Sequence, residues 1–371
     1  ARIALSEALA AQFQGTLGDP GRIHHEGMAA RVLLENAREQ VASLLKAKQR
    51  EIIFTSGATE SITAATWGAV RRCVEKGSPP HIVFGAVEHS AVRRSSELFA
   101  SAFGGSVSIV SVDSYGRIDV DAFIDALTPT TALAHLQWGN HEVGTLQPVA
   151  EIAAACTDRG ILLHVDAAQA VGHVAVDPKD LGIDLLSFSG HKFGGPPGVG
   201  GLWVRQGLRI EPLLAGGEQE RSRRAGLESV SAAIALGVVA SELDESTLDS
   251  EASSNRDLLA TALERLTTTP GISLLGPLES PDRLPHLLCL AVEGVEPQGV
   301  VLGLDRLGIA LHSGSSCASE GLEPSPVLEA MGVDAQRSLR VSVGHNSTID
   351  DINALCEQLP QIVSELRSLS A

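Results

Sequence analysis

The sequence predicts an α/β fold: a mainly parallel seven-stranded sheet flanked by helices in a larger first unit, then a smaller α+β unit at the C-terminal end. Two observations carry this expectation. Between Ile52 and Val204, short apolar runs alternate with longer helical patterns. Most of those runs are continuous rather than alternating, as expected of strands covered on both faces, and the alternation argues for a parallel sheet. Beyond about Leu248 the order changes to helix, strand, helix, strand, helix, strand, helix. The expected boundaries are 1–247 for the large unit and 248–371 for the small one.

In chain order, Met28–Leu45 carries apolar residues at Ala30, Leu33, Leu34, Ala37, Val41 and Leu44, a helical period. The expected strands are Ile52–Thr55, Ile82–Phe84, Val107–Val110, Ala132–Gln137, Leu162–Val165, Leu185–Phe188 and Gly201–Val204. Glu60–Glu75, Ser90–Phe103, Asp119–Leu127 and Val149–Arg159 read as the helices between them. Ala232–Leu243 reads as a long buried helix. In the smaller unit His286–Val292, Ile309–His312 and Leu339–Val343 are the expected strands. Ser347-Thr348-Ile349-Asp350-Asp351 resembles a capping box opening the last helix.

Composition narrows the function. A chain of 371 residues suffices for two hydrophobic cores. Its net charge of −17, with no dense Lys/Arg stripe, argues against direct nucleic-acid binding. No apolar run has the length of a membrane span and no signal peptide is evident, so a cytoplasmic protein without a membrane partner is expected. The five cysteines, Cys73, Cys156, Cys289, Cys317 and Cys356, form no CxxC. Neither a disulfide framework nor a metal site is therefore expected. Four of them stand in apolar or helical contexts and read as buried thiols.

The chemistry gathers at strand ends. Leu185-Leu186-Ser187-Phe188-Ser189-Gly190-His191-Lys192 delivers an amine at a strand's C-terminal end, and Leu162-Leu163-His164-Val165-Asp166 delivers a carboxylate there. Open α/β sheets bind ligands along that edge. A lysine able to form a Schiff base, with an aspartate for a pyridinium nitrogen, suits pyridoxal phosphate. Thr55-Ser56-Gly57-Ala58-Thr59-Glu60-Ser61 joins a strand to a helix, and Thr59 stands where a helix N-terminus holds a phosphate. Ser189 and His191 could reach the same phosphate. His89 follows the second strand, where it could stack on an aromatic ring or move protons. Asn140 and Gln169 stand at comparable levels, and Gln169 could face a ring oxygen. Arg340 lies among apolar neighbours and needs an anion, whether a structural carboxylate or a substrate's. Cys317 is set in Ser313-Gly314-Ser315-Ser316-Cys317-Ala318-Ser319-Glu320-Gly321, small residues that predict an exposed, mobile, reactive thiol. Each residue alone has an ordinary reading as a cap, a loop side chain or an ion pair; their combination points to a site.

Together these segments resemble the cysteine desulfurases of the NifS/IscS type, in the class V aminotransferase group of fold-type I pyridoxal phosphate enzymes. The motifs are TSGATES from Thr55, the EH pair at Glu88, N-x-E-V-G from Asn140, HVDAAQAVG from His164, SGHKFGGPPGVG from Ser189, SGSSC from Ser313, LEPSPVL from Leu322 and SLRVSVG from Ser338. The resemblance implies conversion of L-cysteine to L-alanine. Lys192 would be the Schiff-base lysine and proton shuttle, and Cys317 the thiolate that takes the sulfur as a persulfide. Asp166 would keep the ring nitrogen protonated, with Gln169 and Asn140 near the ring oxygen. His89 would stack on the ring and help deprotonate the substrate thiol. Thr59 with Ala58, Ser189 and His191 would hold the phosphate, and Arg340 with Asn140 the substrate carboxylate. A homodimer and a sulfur-acceptor protein are implied as partners. The acceptor could serve iron–sulfur cluster assembly, tRNA thiolation or DNA phosphorothioation. The Ala- and Arg-rich, Lys-poor composition fits a high-GC bacterium, and with it a DndA-like member.

Three departures stand against this pattern. The family opens with a Y-L-D-x-A-A-T-T-like strand and this sequence starts beyond it, so a missing N-terminal stretch is expected. Where the family has R-x-G-T, this chain reads Arg224-Ala225-Gly226-Leu227. Leu227 cannot donate to the neighbouring subunit's cofactor phosphate, so weaker retention is expected. Glu320, close behind Cys317, would raise the thiol's pKa if near it in space. The alternatives are a selenocysteine lyase or other class V aminotransferase-like enzyme, and a non-catalytic docking protein on the same fold. A mobile thiol disfavours a plain aminotransferase, and the complete residue set disfavours a docking protein. A nicotinamide dehydrogenase lacks its GxGxxG.

Overall fold

The structure, a computed structural model, describes residues 18–278, 282–313 and 324–370. Helix α1 (His25–Leu44) opens the described chain. Seven strands follow: β1 (Ile52–Thr55), β2 (His81–Gly85), β3 (Ser106–Val110), β4 (Thr131–Gln137), β5 (Leu162–Asp166), β6 (Leu185–Ser189) and β7 (Gly200–Val204). They form one sheet in the order β1-β7-β6-β5-β4-β2-β3. From β6 to β3 every pairing is parallel, and β7 is antiparallel to both neighbours. The sheet is the mainly parallel one that the alternation predicts.

Strand residues alternate between two cores because successive side chains point to opposite faces. Ile52, Phe54, Val83, Leu163, Val165 and Leu186 join a large cluster with α1, α5 (Val149–Arg159) and α6 (Val230–Ser241). Ile53, Ile82, Phe84, Leu133 and Leu185 face the other way, against α2 (Ala58–Glu75) and α3 (Ser90–Ala102). Cover on both faces explains why the strands other than the exposed edge strand β3 lack a polar alternation. The short helix α4 (Val120–Ala126) adds Phe123 to the large cluster.

The second sheet is antiparallel, in the order β10 (Ser338–Ser342), β9 (Leu287–Val292), β8 (Ile272–Leu275). Helices α7 (Glu245–Leu266), α8 (Pro297–Asp305) and α10 (Ile349–Ser370) bury their apolar faces on it, forming a separate core. Helix α9 (Pro326–Ala330) lies between α8 and β10 in the chain. At the start of α10 the Thr348 amide donates to Asp351 (2.8 Å) and the Asp351 amide to Thr348 (3.4 Å), the reciprocal cap read from the sequence.

Two expectations need correction. Ile309–His312 forms no strand: His312 makes a single bridge to Arg340 on the outer edge of β10, one residue being too little for a ladder. Strand β8 was not expected, because its four residues sit between a Thr-Thr-Thr-Pro-Gly turn and Gly276 and show no period of their own.

Cys156, Cys289 and Cys356 are buried and Cys73 is half-buried. Burial first, then a nearby carboxylate, pushes the thiols of Cys156 and Cys289 up to about 12. Thiols held in that form are poor nucleophiles. Cys317 and Glu320 lie outside the described residues.

Candidate active site

The parallel strands end along one edge, and the chain turns there into a cavity of about 670 Å³. Register places Gln137 of β4 beside Asp166 of β5, and Asp166 beside Ser187 of β6. The Asp166 carboxylate is buried in that row, one oxygen accepting from the Ala168 amide (3.0 Å) and the Ser187 hydroxyl (3.3 Å). Past β6 a 3₁₀ turn, Gly190–Phe193, carries Lys192 into the cavity lining. Of the five lysines in the sequence, Lys192 is the one that lines this cavity.

Helix α2 begins at the cavity wall. Its N-cap, Gly57, has φ 150°, a conformation that favours glycine. A Cβ on Gly200 would come within 2.8 Å of the Gly57 Cα, so these two glycines let β7 and the turn pack back to back. Ala58, Thr59 and Glu60 in the first turn line the cavity, so backbone N–H groups without intrahelical partners gather beside it. Ser189 and His191 stand opposite, the hydroxyl 3.0 Å from the His191 Nδ1. Burial and then the neighbouring Lys192 hold the His191 imidazole below its ordinary range. Glu60 is balanced locally. Burial pushes its carboxyl up, but the hydrogen bond from Arg224 (2.9 Å) and those from Ser56 outweigh it and lower the pKa.

His89 is the N-cap of α3, and its Nδ1 accepts the Ala91 amide proton at 3.1 Å. The neutral ring therefore carries its proton on Nε2, which makes it a donor at that atom. Beside it, Glu88 is fully buried, taking the Gln137 amide on one oxygen (2.6 Å). Its second oxygen has no hydrogen-bond partner among the described residues. Burial and then the charge of Asp166 push the Glu88 carboxyl up to about 8. Glu88 thus favours its protonated form near pH 7.

The second sheet closes the far wall. Arg340 on β10 lines the cavity, donates its main-chain N–H to the His312 carbonyl (2.8 Å) and donates from Nη1 to the His141 carbonyl at 2.9 Å. Asn140 supports that contact from behind. Its Oδ1 accepts the amides of Glu142 and Val143 (2.8 and 2.9 Å) and its Nδ2 donates to the Val87 carbonyl and Gln137.

The family described as aminotransferase class-V matches residues 4–355. The chain belongs to the aminotransferase class-V family. It is 38% identical over 370 residues to the cysteine desulfurase IscS of Methanosarcina thermophila, covering 98% of this chain and 89% of that one. Among solved structures, a NifS-like protein superposes with a TM-score of 0.90 at 29% identity, covering 99% of this chain and 97% of the other. DndA from Streptomyces lividans superposes with a TM-score of 0.77 at 34% identity, covering 92% and 96%.

Class V enzymes of this type use pyridoxal phosphate, and the cavity fits it. The helix N-terminus with Thr59, Ser189 and His191 suits a phosphate, a buried carboxylate a pyridinium nitrogen, and a cavity amine an aldehyde. Ala58, Thr59, His89, Asp166, Gln169, Ser189, His191, Lys192 and Arg340, all expected from the sequence, come together in one lining. Asn140 stands outside this lining, its Oδ1 taken by two amides of the turn and its Nδ2 by the Val87 carbonyl and Gln137. Sequence reasoning missed Gln137, His141 and His312, which also line the cavity. Gln137 was within reach, since it ends a predicted strand at the ligand edge. No helix among the described residues is long and apolar enough to cross a membrane, and those residues hold no metal-ligating cluster.

Proposed function

We propose that this chain is a cysteine desulfurase that converts L-cysteine to L-alanine and passes the sulfur on through Cys317. The observation that carries the reading is Lys192, the cavity's lysine, sharing the lining with Asp166 and Arg340. Full-length likeness to cysteine desulfurases supports it.

Pyridoxal phosphate, when bound, supplies an electron sink for the carbanion at the substrate's Cα. Lys192 would hold its aldehyde carbon and move the proton at the substrate's Cα. Asp166 would keep a proton on the ring nitrogen. The first turn of α2, Thr59, Ser189 and His191 would bind the phosphate. Arg340, anchored on the His141 carbonyl by one nitrogen, would take the substrate carboxylate with the rest of its fork. His89 would lie against the ring and donate from Nε2 to the substrate sulfur, favouring its thiolate. The cap at Ala91, which engages Nδ1 and leaves the proton on Nε2, supports that role.

Cys317 as a thiolate would attack the substrate sulfur. A sulfur–sulfur bond forms, the Cβ–S bond breaks, and its electron pair stays with the carbon skeleton, which leaves as alanine after protonation. No outside oxidant is needed. A sulfur-acceptor protein would then take the persulfide.

The same reading includes a large unit over 1–247 and a small one over 248–371, a homodimer, and a cytoplasmic setting. The test is alanine formation from L-cysteine by the pyridoxal phosphate-loaded protein, compared with Cys317→Ser. Turnover by the first and none by the second is expected. Equal turnover by both would refute the role of Cys317.

A further inference from the structure

Behind the cavity, Gln169 is held from outside the first sheet. Its Oε1 lies 3.2 Å from Nε2 of His286, a residue just before β9. His286 is buried and lies face to face with His173, ring centroids 3.6 Å apart and 15° from parallel. His173 in turn contacts the Lys192 carbonyl through Nε2 (2.9 Å). His286 Nδ1 is buried without a hydrogen-bond partner among the described residues. A separate cavity of about 360 Å³ opens there, lined by His173, His286, Glu251, His345, Lys192 and Arg340 among others.

We propose that His286 is a positioning residue that fixes the Gln169 amide, oxygen toward the imidazole and NH₂ toward the cofactor cavity, so that Gln169 serves there as a hydrogen-bond donor. A neutral imidazole has one N–H, and with an amide oxygen facing Nε2 the proton sits on Nε2. The reverse tautomer would bury an N–H donor at Nδ1 with nothing to meet it, the costlier arrangement. The ring stays neutral. Burial pushes its pKa well below the ordinary range, and the neighbouring His173, Lys192 and Arg340 push it further. With the oxygen taken, the NH₂ is left for the cavity that Gln169 also lines. A donor there stabilises negative charge on the cofactor's ring oxygen.

This inference rests on the cofactor assignment above. The test follows the visible absorbance of the pyridoxal phosphate-loaded protein against pH. A donor to the ring oxygen opposes protonation beside it, so releasing the Gln169 amide should raise the midpoint. In His286→Leu the midpoint is expected to rise by roughly half a unit to one unit. His286→Gln, which keeps a donor at similar reach, should restore it. In a Gln169→Leu background, His286→Leu should add nothing. An unmoved midpoint in loaded His286→Leu, or an equal shift in the Gln169→Leu background, would overturn the proposal. ¹⁵N NMR of the unsubstituted protein tests it without any variant: the Nε2–H tautomer of His286 is expected, and the Nδ1–H tautomer refutes it. If the unsubstituted protein bound no pyridoxal phosphate, the cofactor site itself would fail.

Discussion

Arg38 and Glu220 form a doubly hydrogen-bonded ion pair, at 2.6 and 2.8 Å, with both side chains buried. Burial pulls the Arg38 pKa down, but its hydrogen bond and charge interaction with Glu220 outweigh this and raise it. Glu220 also accepts the Phe54 amide (3.1 Å) and Arg38 donates to the Ile52 carbonyl (3.2 Å), so the pair clamps β1. Glu220, Arg221 and Ser222 all have positive φ, 48°, 59° and 61°. Three such residues without glycine are strained, and the ion pair holds the turn in place. The chain then delivers Arg224 to Glu60 at the cavity wall.

Removing one partner should therefore be severe. Arg38→Met is expected to cost about 3–5 kcal/mol, because it leaves Glu220 charged and buried. Urea unfolding of the two proteins measures it. A loss under about 1 kcal/mol would show that the turn holds without the pair.

Glu88 should give stability a slope with pH. Its pKa is about 8 in the folded protein, against an ordinary value of 4.5. Below 4.5 both states hold the proton. Between 4.5 and 8 the unfolded chain releases it while the folded one keeps it, so stability falls as pH rises, and above 8 the loss is complete. Glu88→Gln keeps an oxygen for the Gln137 amide and removes the titration. Between pH 4 and pH 9 it should gain about 3–5 kcal/mol relative to the unsubstituted protein. Identical pH slopes of the urea midpoint would contradict this.

Arg340→Gln should raise KM for L-cysteine about 10- to 100-fold, the worth of hydrogen bonds to a charged carboxylate. Steady-state kinetics checks it, and an unchanged KM would show that the carboxylate is held elsewhere.

Leu227 is 63% exposed in the single chain and has no polar atom to offer a phosphate. Leu227→Thr should tighten pyridoxal phosphate binding about fivefold, the effect of one hydrogen bond worth ~1 kcal/mol. An unaltered dissociation constant in equilibrium dialysis would show that position 227 does not reach the cofactor.

Much of the fold was legible because six of the seven strands of the large sheet are buried on both faces. Ile52–Thr55 was bounded correctly, and the other six strands of the large sheet extend only one or two residues beyond the apolar runs. The rule that ligands gather at strand ends found Asp166, Ser189 and Lys192, since the first two close their strands and Lys192 stands in the turn that leaves β6. The short β8, flanked by turn residues, had no period to read. Asn140 illustrates a second limit: its position in the turn was clear, but whether its amide faced the cavity or the backbone depended on three-dimensional packing. His286 shows the third. It precedes a strand of the second sheet, and only the docking of that sheet against the first brings it to Gln169.

Borohydride reduction of the pyridoxal phosphate-loaded protein, followed by peptide mapping, tests most directly whether the 3₁₀ turn after β6 carries the reactive amine. A pyridoxyl group on Lys192, with the lysines at 46, 48, 76 and 179 unmodified, is the expected result. A label on any of those four, or none on Lys192, would contradict it.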